Sequence, residues 1–410
     1  MHTRLALWSA AAAIPIYVVA CAMPDGGLFR AARFRDVHLY EGFANSVFDG
    51  RVPYRDFFME YPPGALAVFL PPAAAGDHYN AAFKALMALC GGATLVLVAL
   101  LLARLNVSAQ RLWTAVLLVA VSPIALGPIS LNTYDAWPAL LTVAALALLL
   151  DARPVAAFAL LGLAFAAKVY PLVLLPPALI YIWRTSGRSR AVRASGAFTG
   201  VAALVVLPFL AVAPHGLLES FRAQAARALQ DESLGASFLE VADRLGWYSA
   251  TIVHRSGEAI SNDLSGSLPR ALAAASSAAQ LIAVLLVAWL YLRGRDDARR
   301  LAIACAAVVS GFLAFTRFFS PQYLVWLIPF AALTGAAVWA LTAAALVLAQ
   351  LWFFHYHDVH AVGGYVWLVF ARNLLVVALF VVTLLALRRR STKDEDAIPL
   401  EDESPVRVPA

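Results

Sequence analysis

The residues best suited to chemistry lie between Phe34 and Gly64, in F-R-D-V-H-L-Y-E-G-F-A-N-S-V-F-D-G-R-V-P-Y-R-D-F-F-M-E-Y-P-P-G. Five carboxylates and a histidine are packed into this stretch: Asp36, His38, Glu41, Asp49, Asp56 and Glu60. Asp36 stands out, because Arg35 and His38 bracket it and Glu60, followed by Tyr61, returns later in the same segment. An aspartate at this place has two readings. It can cap the helix that follows, or it can act as general base toward a hydroxyl if burial and nearby charge set its pKa. The two roles are compatible.

Cations and polar corners elsewhere could serve such a base. Lys168, in A-A-K-V-Y-P with Tyr170, is either a lysine reaching from a helix end to headgroups or a cation held for an anionic group. Arg317 precedes F-F-S-P-Q-Y, so Gln322 and Tyr323 share its corner. A cation beside aromatic and amide groups suits a phosphate or sugar, and it equally suits an interfacial anchor. Arg372 falls inside an apolar run, where an ionised side chain needs either an acidic partner or a wet cavity. Asp135, in N-T-Y-D, reads first as a helix cap. The run H-Y-H-D-V-H (His355, His357, Asp358, His360) has metal-ligand residue types. His355 and His357 are too close to share one helical face, and hydrogen-bonding loop histidines are the commoner outcome. No Walker A motif, Gly-rich dinucleotide motif or H-E-x-x-H occurs.

The elements that must position these residues are apolar. The 410-residue chain is 62% hydrophobic and 14% charged, against about a quarter charged in soluble domains. This is the composition of a polytopic membrane protein, and its net charge of +6 is no signature of nucleic acid. Cys21, Cys90 and Cys305 are too scattered for a disulfide framework or metal site. Val18-Val19-Ala20-Cys21 has the look of a lipoprotein cleavage site, but Met1–Met23 is read as a retained first span.

A crossing helix needs about 20 apolar residues. Candidate spans run over Leu5–Met23, Ala81–Ala103, Leu112–Leu126, Ala136–Leu150, Val155–Ala167, Tyr170–Trp183, Gly196–Ala213, Ala271–Leu292, Leu301–Phe315, Tyr323–Leu333, Ala336–Phe354 and Val366–Leu387. The expected fold is therefore all-α, with about twelve transmembrane helices. Leu66–Ala75, boxed by prolines, is a re-entrant or interfacial piece. If the N-terminus is cytoplasmic, Arg104, Arg111, Arg153, Arg184, Arg188, Arg190, Arg193, Arg293, Arg295, Arg299, Arg300 and Arg388 to Arg390 all fall on inner connections, as the positive-inside bias requires. Both termini are then cytoplasmic and the chemically rich loops, 24–80 and 214–270 above all, face outward. Val37, Tyr40, Phe43, Ala44, Val47 and Phe48 recur at helical spacing, which predicts an amphipathic interfacial helix headed by Asp36 and closed by Gly50. Residues 214–270 are expected to form short surface helices. Residues 1–390 make one membrane domain, and 391–410 an acidic, disordered cytoplasmic tail.

Three motifs in order carry a resemblance. D-V-H-L-Y…D-G-R-V-P-Y-R-D-F…E-Y-P-P-G, then A-K-V-Y-P-L-V-L-L-P, then F-F-S-P-Q-Y-L-V-W-L-I-P resemble bacterial membrane glycosyltransferases of the GT-C class. The nearest resemblance is to glycosyltransferase family 87, which includes polyprenyl-phosphomannose-dependent mannosyltransferases. The Ala- and Arg-rich composition suits a high-GC actinobacterium. The resemblance implies a catalytic aspartate in the first outer loop, matched by Asp36, and a polyprenyl-phosphate-linked sugar donor. It also implies transfer to a lipid or glycan acceptor at the outer face of the bacterial plasma membrane. Glu60, Lys168 and Gln322 match motif positions without assigned roles. The implied reaction is inverting hexosyl transfer, of mannose by first choice. Asp36 is its base, and Lys168, Arg317 or Arg372 faces the donor phosphate. Arg35, His38, Tyr40, Glu60, Tyr61, Asp135, Tyr170, Gln322, Tyr323 and His357 are the remaining candidates to line the site. No cofactor is required, although a divalent metal is compatible. A transporter or flippase for a lipid-linked or anionic solute is the rival reading, since intramembrane cations and broken helices also fit transport. A non-catalytic scaffold is the second.

Overall fold

The structure is a computed structural model that describes residues 2–25, 36–255, 261–354 and 365–392. Arg35, the H-Y-H-D-V-H run with His357, and the tail beyond 392 lie outside the described residues. Seventeen α-helices make up most of what is described. Along the chain they are α1 (His2–Ala22), α2 (Asp36–Phe48), α3 (Leu66–Phe69), α4 (Tyr79–Arg104), α5 (Ala109–Leu126) and α6 (Ile129–Asn132). There follow α7 (Ala136–Leu150), α8 (Pro154–Ala167), α9 (Leu175–Ser186), α10 (Arg188–Val212), α11 (Pro214–Ala225) and α12 (Leu234–Arg244). The last are α13 (Ser267–Leu292), α14 (Ala298–Ala314), α15 (Leu324–Thr334), α16 (Ala336–Phe354) and α17 (Tyr365–Thr392).

Each of the twelve apolar runs forms helix, but among the described residues only six helices are long and apolar enough to cross a membrane: α1, α4 with the 3₁₀ turn before it, α5, α10, α13 and α17. Six long helices thus stand against the twelve spans expected. Shorter apolar ones, among them α7, α8, α15 and α16, pack between them. Tyr170–Leu174 is a 3₁₀ turn, so the predicted 170–183 span shrinks to α9. Prolines explain this: Pro171 has no backbone N–H to donate, and Pro176-Pro177 follow within the first turn of α9. Leu66–Ala75 resolves into α3 and a 3₁₀ segment that runs directly into α4.

The core sits along α14, which is buried over nearly its whole length by α13, α15 and α17. At the other extreme, α10 and α13 present Leu204, Leu207, Leu281, Ile282 and Leu285 to the outside. Such apolar outer faces are those of helices solvated by hydrocarbon rather than water.

The helix ends sort by chemistry. At one end the basic connections knit together: Arg111 donates to the carbonyls of Leu333 and Thr334, Arg184 to those of Leu292 and Gly294, and Arg299 to those of Leu105 and Asn106. Arg104 pairs with Asp151 there, and Arg184 with Asp296. The guanidiniums satisfy carbonyls that helix C-termini leave open. At the other end gather α2, the 51–65 loop, the 127–135 and 168–170 corners, and residues 213–255 and 261–266.

Residues 214–270 are not purely helical. Between α11 and α13 lies a three-stranded antiparallel sheet, ordered β1 (Leu229–Gln230), β3 (Ser261–Ser265), β2 (Thr251–Arg255). Leu264 pairs across with Leu229 on one side and Ile252 on the other. Leu229, Ala236, Leu239, Leu264 and Ala273 form a small core beneath it, separate from that of the membrane helices. β1 has two residues and β3 reads S-N-D-L-S, so neither carries the alternation that marks a strand.

Candidate active site

Helix α2 begins the site. Val37, Tyr40, Phe43 and Ala44 are buried along one face, and Gly50 ends the segment with φ +81°, which favours glycine. Phe48 departs from the predicted apolar face: it is 67% exposed, and Val47 is only half-buried. Tyr40 sets the angle of the helix by stacking on Phe69 at 4.3 Å between ring centroids and meeting Tyr61 and Tyr134 edge-on at 5.6 and 5.8 Å. One turn earlier, Asp36 is thereby held in electrostatic reach of Glu60, Asp135 and Lys168. Burial raises its carboxyl to about 7, with the negative charges of Glu60 and Asp135 adding to the rise and Lys168 opposing it.

The loop carrying Glu60 is fixed from both sides. Tyr54 donates its hydroxyl to the Tyr61 carbonyl at 2.5 Å, and Ser220 of α11 donates to the Met59 carbonyl at 2.8 Å. Gly64 then lies against the backbone of Ala166 and Ala167, where a Cβ would come within 2.7 Å of main-chain atoms. That close approach sets E-Y-P-P-G beside the Lys168 corner. Glu60 accepts from Arg227 Nη2 at 3.0 Å. Burial raises the Glu60 pKa, and Arg227 pulls it back.

Asp135 makes no cap hydrogen bond. Its Oδ1 accepts instead from Lys168 Nζ and from Trp326 Nε1, both at 2.6 Å, while its Oδ2 is buried without a hydrogen-bond partner among the described residues. Burial pushes this carboxyl up, and Lys168 and the two hydrogen bonds oppose it. The Lys168 ammonium sits in an aromatic enclosure, 4.4 Å from the ring centre of Tyr134 and 5.2 Å from those of Tyr323 and Trp326. Trp326 stacks between Tyr170, at 4.0 Å, and Tyr323, at 4.3 Å. The Tyr170 hydroxyl meets Thr142 Oγ1 at 3.0 Å.

Asp36, Tyr40, Glu60, Tyr61, Asp135, Lys168, Tyr170 and Tyr323 therefore come together from distant parts of the chain. The other candidates sit apart from that cluster or face away from it. His38 is exposed and meets Glu41 at 3.6 Å. Arg317 donates to the Ala225 carbonyl on the exposed side, and its own carbonyl accepts from Gln230. Arg372 is fully buried, with donors on Glu232 Oε2 at 2.8 Å, the Glu232 carbonyl at 2.5 Å and Asn373 Oδ1. This is the acidic partner that its place in an apolar helix demanded. Gln322 accepts from the Ser320 hydroxyl within its own turn. Asp56 is a local brace, accepting from Arg55 and from the Val52 N–H. Among the described residues no group of three or more His, Cys, Asp or Glu is arranged to hold a metal.

Three contributors were missed: Trp326, Arg227 and Glu232. Trp326 lies three residues after Tyr323, so a shared helical face was available as a signal. Arg227, in Q-A-A-R-A-L, reads like any arginine on a surface helix. Glu232 gives no hint of its partner 140 residues away.

A helical membrane protein with charged and aromatic groups converging at one end of its helices is the class this architecture defines. The profile of glycosyltransferase family 87 matches residues 58–316, more than half of the chain. The chain belongs to glycosyltransferase family 87, a family of membrane glycosyltransferases. Glu60, Asp135, Lys168 and Arg227 lie within the matched range, and Asp36, Tyr323 and Trp326 outside it. No curated protein matches the chain.

Proposed function

We propose that the protein transfers a hexose, mannose by first choice, from a polyprenyl-phosphate-linked donor to a hydroxyl of a lipid or glycan acceptor, with inversion at the anomeric carbon. The observation that carries this reading is the placement of Asp36 in one buried neighbourhood with Lys168. A base and a cation are thereby close together at the end of the bundle opposite the arginine-rich connections. By the positive-inside bias that end faces away from the cytoplasm, which puts the reaction at the outer face of a bacterial plasma membrane with both termini inside.

Asp36 takes the acceptor proton as the acceptor oxygen attacks the anomeric carbon. The new carbon–oxygen bond forms while the bond to the donor phosphate oxygen breaks, and polyprenyl phosphate leaves with the electron pair. A cation in a water-poor site offsets that growing negative charge more strongly than it could in water. Of the three cations singled out in the sequence, Lys168 is the one whose charge reaches Asp36. Tyr323, which is only half-buried, offers part of an apolar ring suited to a sugar ring or a lipid tail.

The test is transfer from purified polyprenyl-phosphate-mannose to a membrane-lipid extract by the protein in detergent. Asp36→Asn is expected to lower the rate by about 10²- to 10⁴-fold, the usual contribution of a general base. Undiminished transfer by Asp36→Asn would remove the assignment. Uptake of a lipid-linked solute into proteoliposomes without any product would favour the transporter reading.

A further inference from the structure

A second cation faces this site, and its geometry differs from that of Lys168. Arg227 lies between α11 and β1, with its side chain 10% exposed. Its guanidinium carbon is 3.8 Å from the ring centre of Phe318, and Phe318 in turn neighbours Tyr323 at 6.0 Å. Its Nη2 donates to Glu60, yet Nε is buried and meets no acceptor among the described residues. Nε and Nη2 form one edge of the guanidinium fork, the edge that grips two oxygens of a carboxylate or phosphate side by side. Here Glu60 fills half of that edge. A buried donor without an acceptor is unfavourable by the full desolvation of its N–H, so the half-filled edge points to an oxygen ligand that completes it.

Arg227 and Lys168 are on the same site, because Glu60 feels both charges and the Tyr323 ring lies near both. Phe318 and Tyr323 form an aromatic wall spanning the distance between them. We infer that Arg227, with Lys168, seats the phosphate group of a polyprenyl phosphate. A phosphoryl oxygen accepts from Nε, and Glu60 holds the guanidinium in place until it arrives. This inference rests on the reading of the donor given above.

The inference is checked by equilibrium binding of polyprenyl phosphate to the purified full-length protein in detergent. The same polyprenol without phosphate, inorganic phosphate and phosphatidylglycerol serve as comparison ligands. Arg227→Gln is expected to weaken polyprenyl phosphate by about tenfold or more, as for a lost charge-assisted hydrogen bond, and to leave polyprenol unchanged. Arg227→Lys keeps the charge without the fork and should recover only part of the loss. Glu60→Gln should tighten binding, since it removes a negative charge beside the phosphate and still leaves an amide oxygen to hold Nη2. Inorganic phosphate should displace the lipid phosphate. Wild-type affinity in Arg227→Gln overturns the inference, as does equal competition from phosphatidylglycerol, which would make this a general headgroup contact. If Arg227→Gln does not fold, Arg227→Lys decides alone, and unchanged affinity there sinks the seat. A wild-type protein that binds polyprenyl phosphate but transfers no hexose would refute the proposed reaction and leave the seat standing. Transfer together with unchanged Arg227→Gln affinity would do the reverse.

Discussion

A general base works only in its ionised form, so under the proposed role of Asp36 its raised pKa fixes the direction of the pH dependence. With its carboxyl near 7, kcat/KM for hexosyl transfer should rise with pH up to about 7 and level off above it. The same shift acts on stability with the opposite sense. A carboxyl whose folded pKa lies above its unfolded value of 3.8 holds its proton more tightly in the folded chain. That stabilisation is present in full below the unfolded value and is lost as pH rises through about 7. Asp36→Asn, which cannot ionise, should therefore melt at a higher temperature than the wild type at pH 8, and the gap should close toward pH 4. Thermal unfolding in detergent across that range reads the difference. A pH-independent gap would mean that the carboxyl is not held in the environment described. The trade is a familiar one at catalytic groups, where a charge kept poorly solvated for chemistry opposes folding.

Two elements matter chiefly for what they position. The E-Y-P-P-G turn places Glu60 and Tyr61 because Gly64 lets the chain lie on the Ala166–Ala167 backbone. A methyl group there meets main-chain atoms that cannot rotate aside. Gly64→Ala should force the turn away from the Lys168 corner and lower transfer by about tenfold or more, as small misplacements at reacting centres do. Helix content, measured by circular dichroism, should stay near that of the wild type. Helix α12 offers the complementary case. Glu240 is buried, with both carboxylate oxygens unpaired among the described residues. Burial and the nearby charges of Asp231 and Glu232 raise it to about 9. The wild type should lose stability as pH climbs from the unfolded value of 4.5 through about 9, because the folded chain must surrender a proton it prefers to keep. Glu240→Gln removes that slope, so its melting temperature should exceed the wild type's by a margin that widens with pH.

At the scale of the whole molecule, the small sheet and α12 are fastened to the membrane helices by buried polar contacts. Arg372 and Asn373 of α17 grip Glu232 and Ser237, and Phe319 lies under the Arg372 guanidinium at 4.1 Å. Removing one member of a buried ion pair strands the other and typically destabilises by about 3–5 kcal/mol. Arg372→Gln should show a loss of that order in thermal or denaturant unfolding. Glu232→Gln should lose at least as much, since it leaves the buried guanidinium, which cannot shed its proton, without a counter-charge. Because β1 adjoins Arg227, loosening this anchor should also weaken donor binding, which a rise in KM would report.

How much of this was legible beforehand differs from residue to residue. The periodicity of Val37, Tyr40, Phe43 and Ala44 announced α2, and the arginine-bearing connections announced which helix ends share a side, because period and charge are local properties of the chain. Lys168 and Asp135 each had an ordinary local reading, a headgroup anchor and a cap, and the choice between these and an ion pair depends on two segments meeting 33 residues apart. Arg372 was visibly in need of a partner, but Glu232 could not be chosen from the other acidic residues by sequence. The sheet in 229–265 escaped because strands of two to five residues owe their stability to cross-strand pairing rather than to their own composition. By itself, then, the sequence determined a hydrocarbon-solvated helical frame, the gathering of its arginine-rich connections at one end and the place of Asp36 at the head of α2, all written in hydrophobic period and charge bias. Only the tertiary structure decided which cations stand with Asp36 and which are tied up elsewhere, because pairing between buried charges is settled by distance and desolvation.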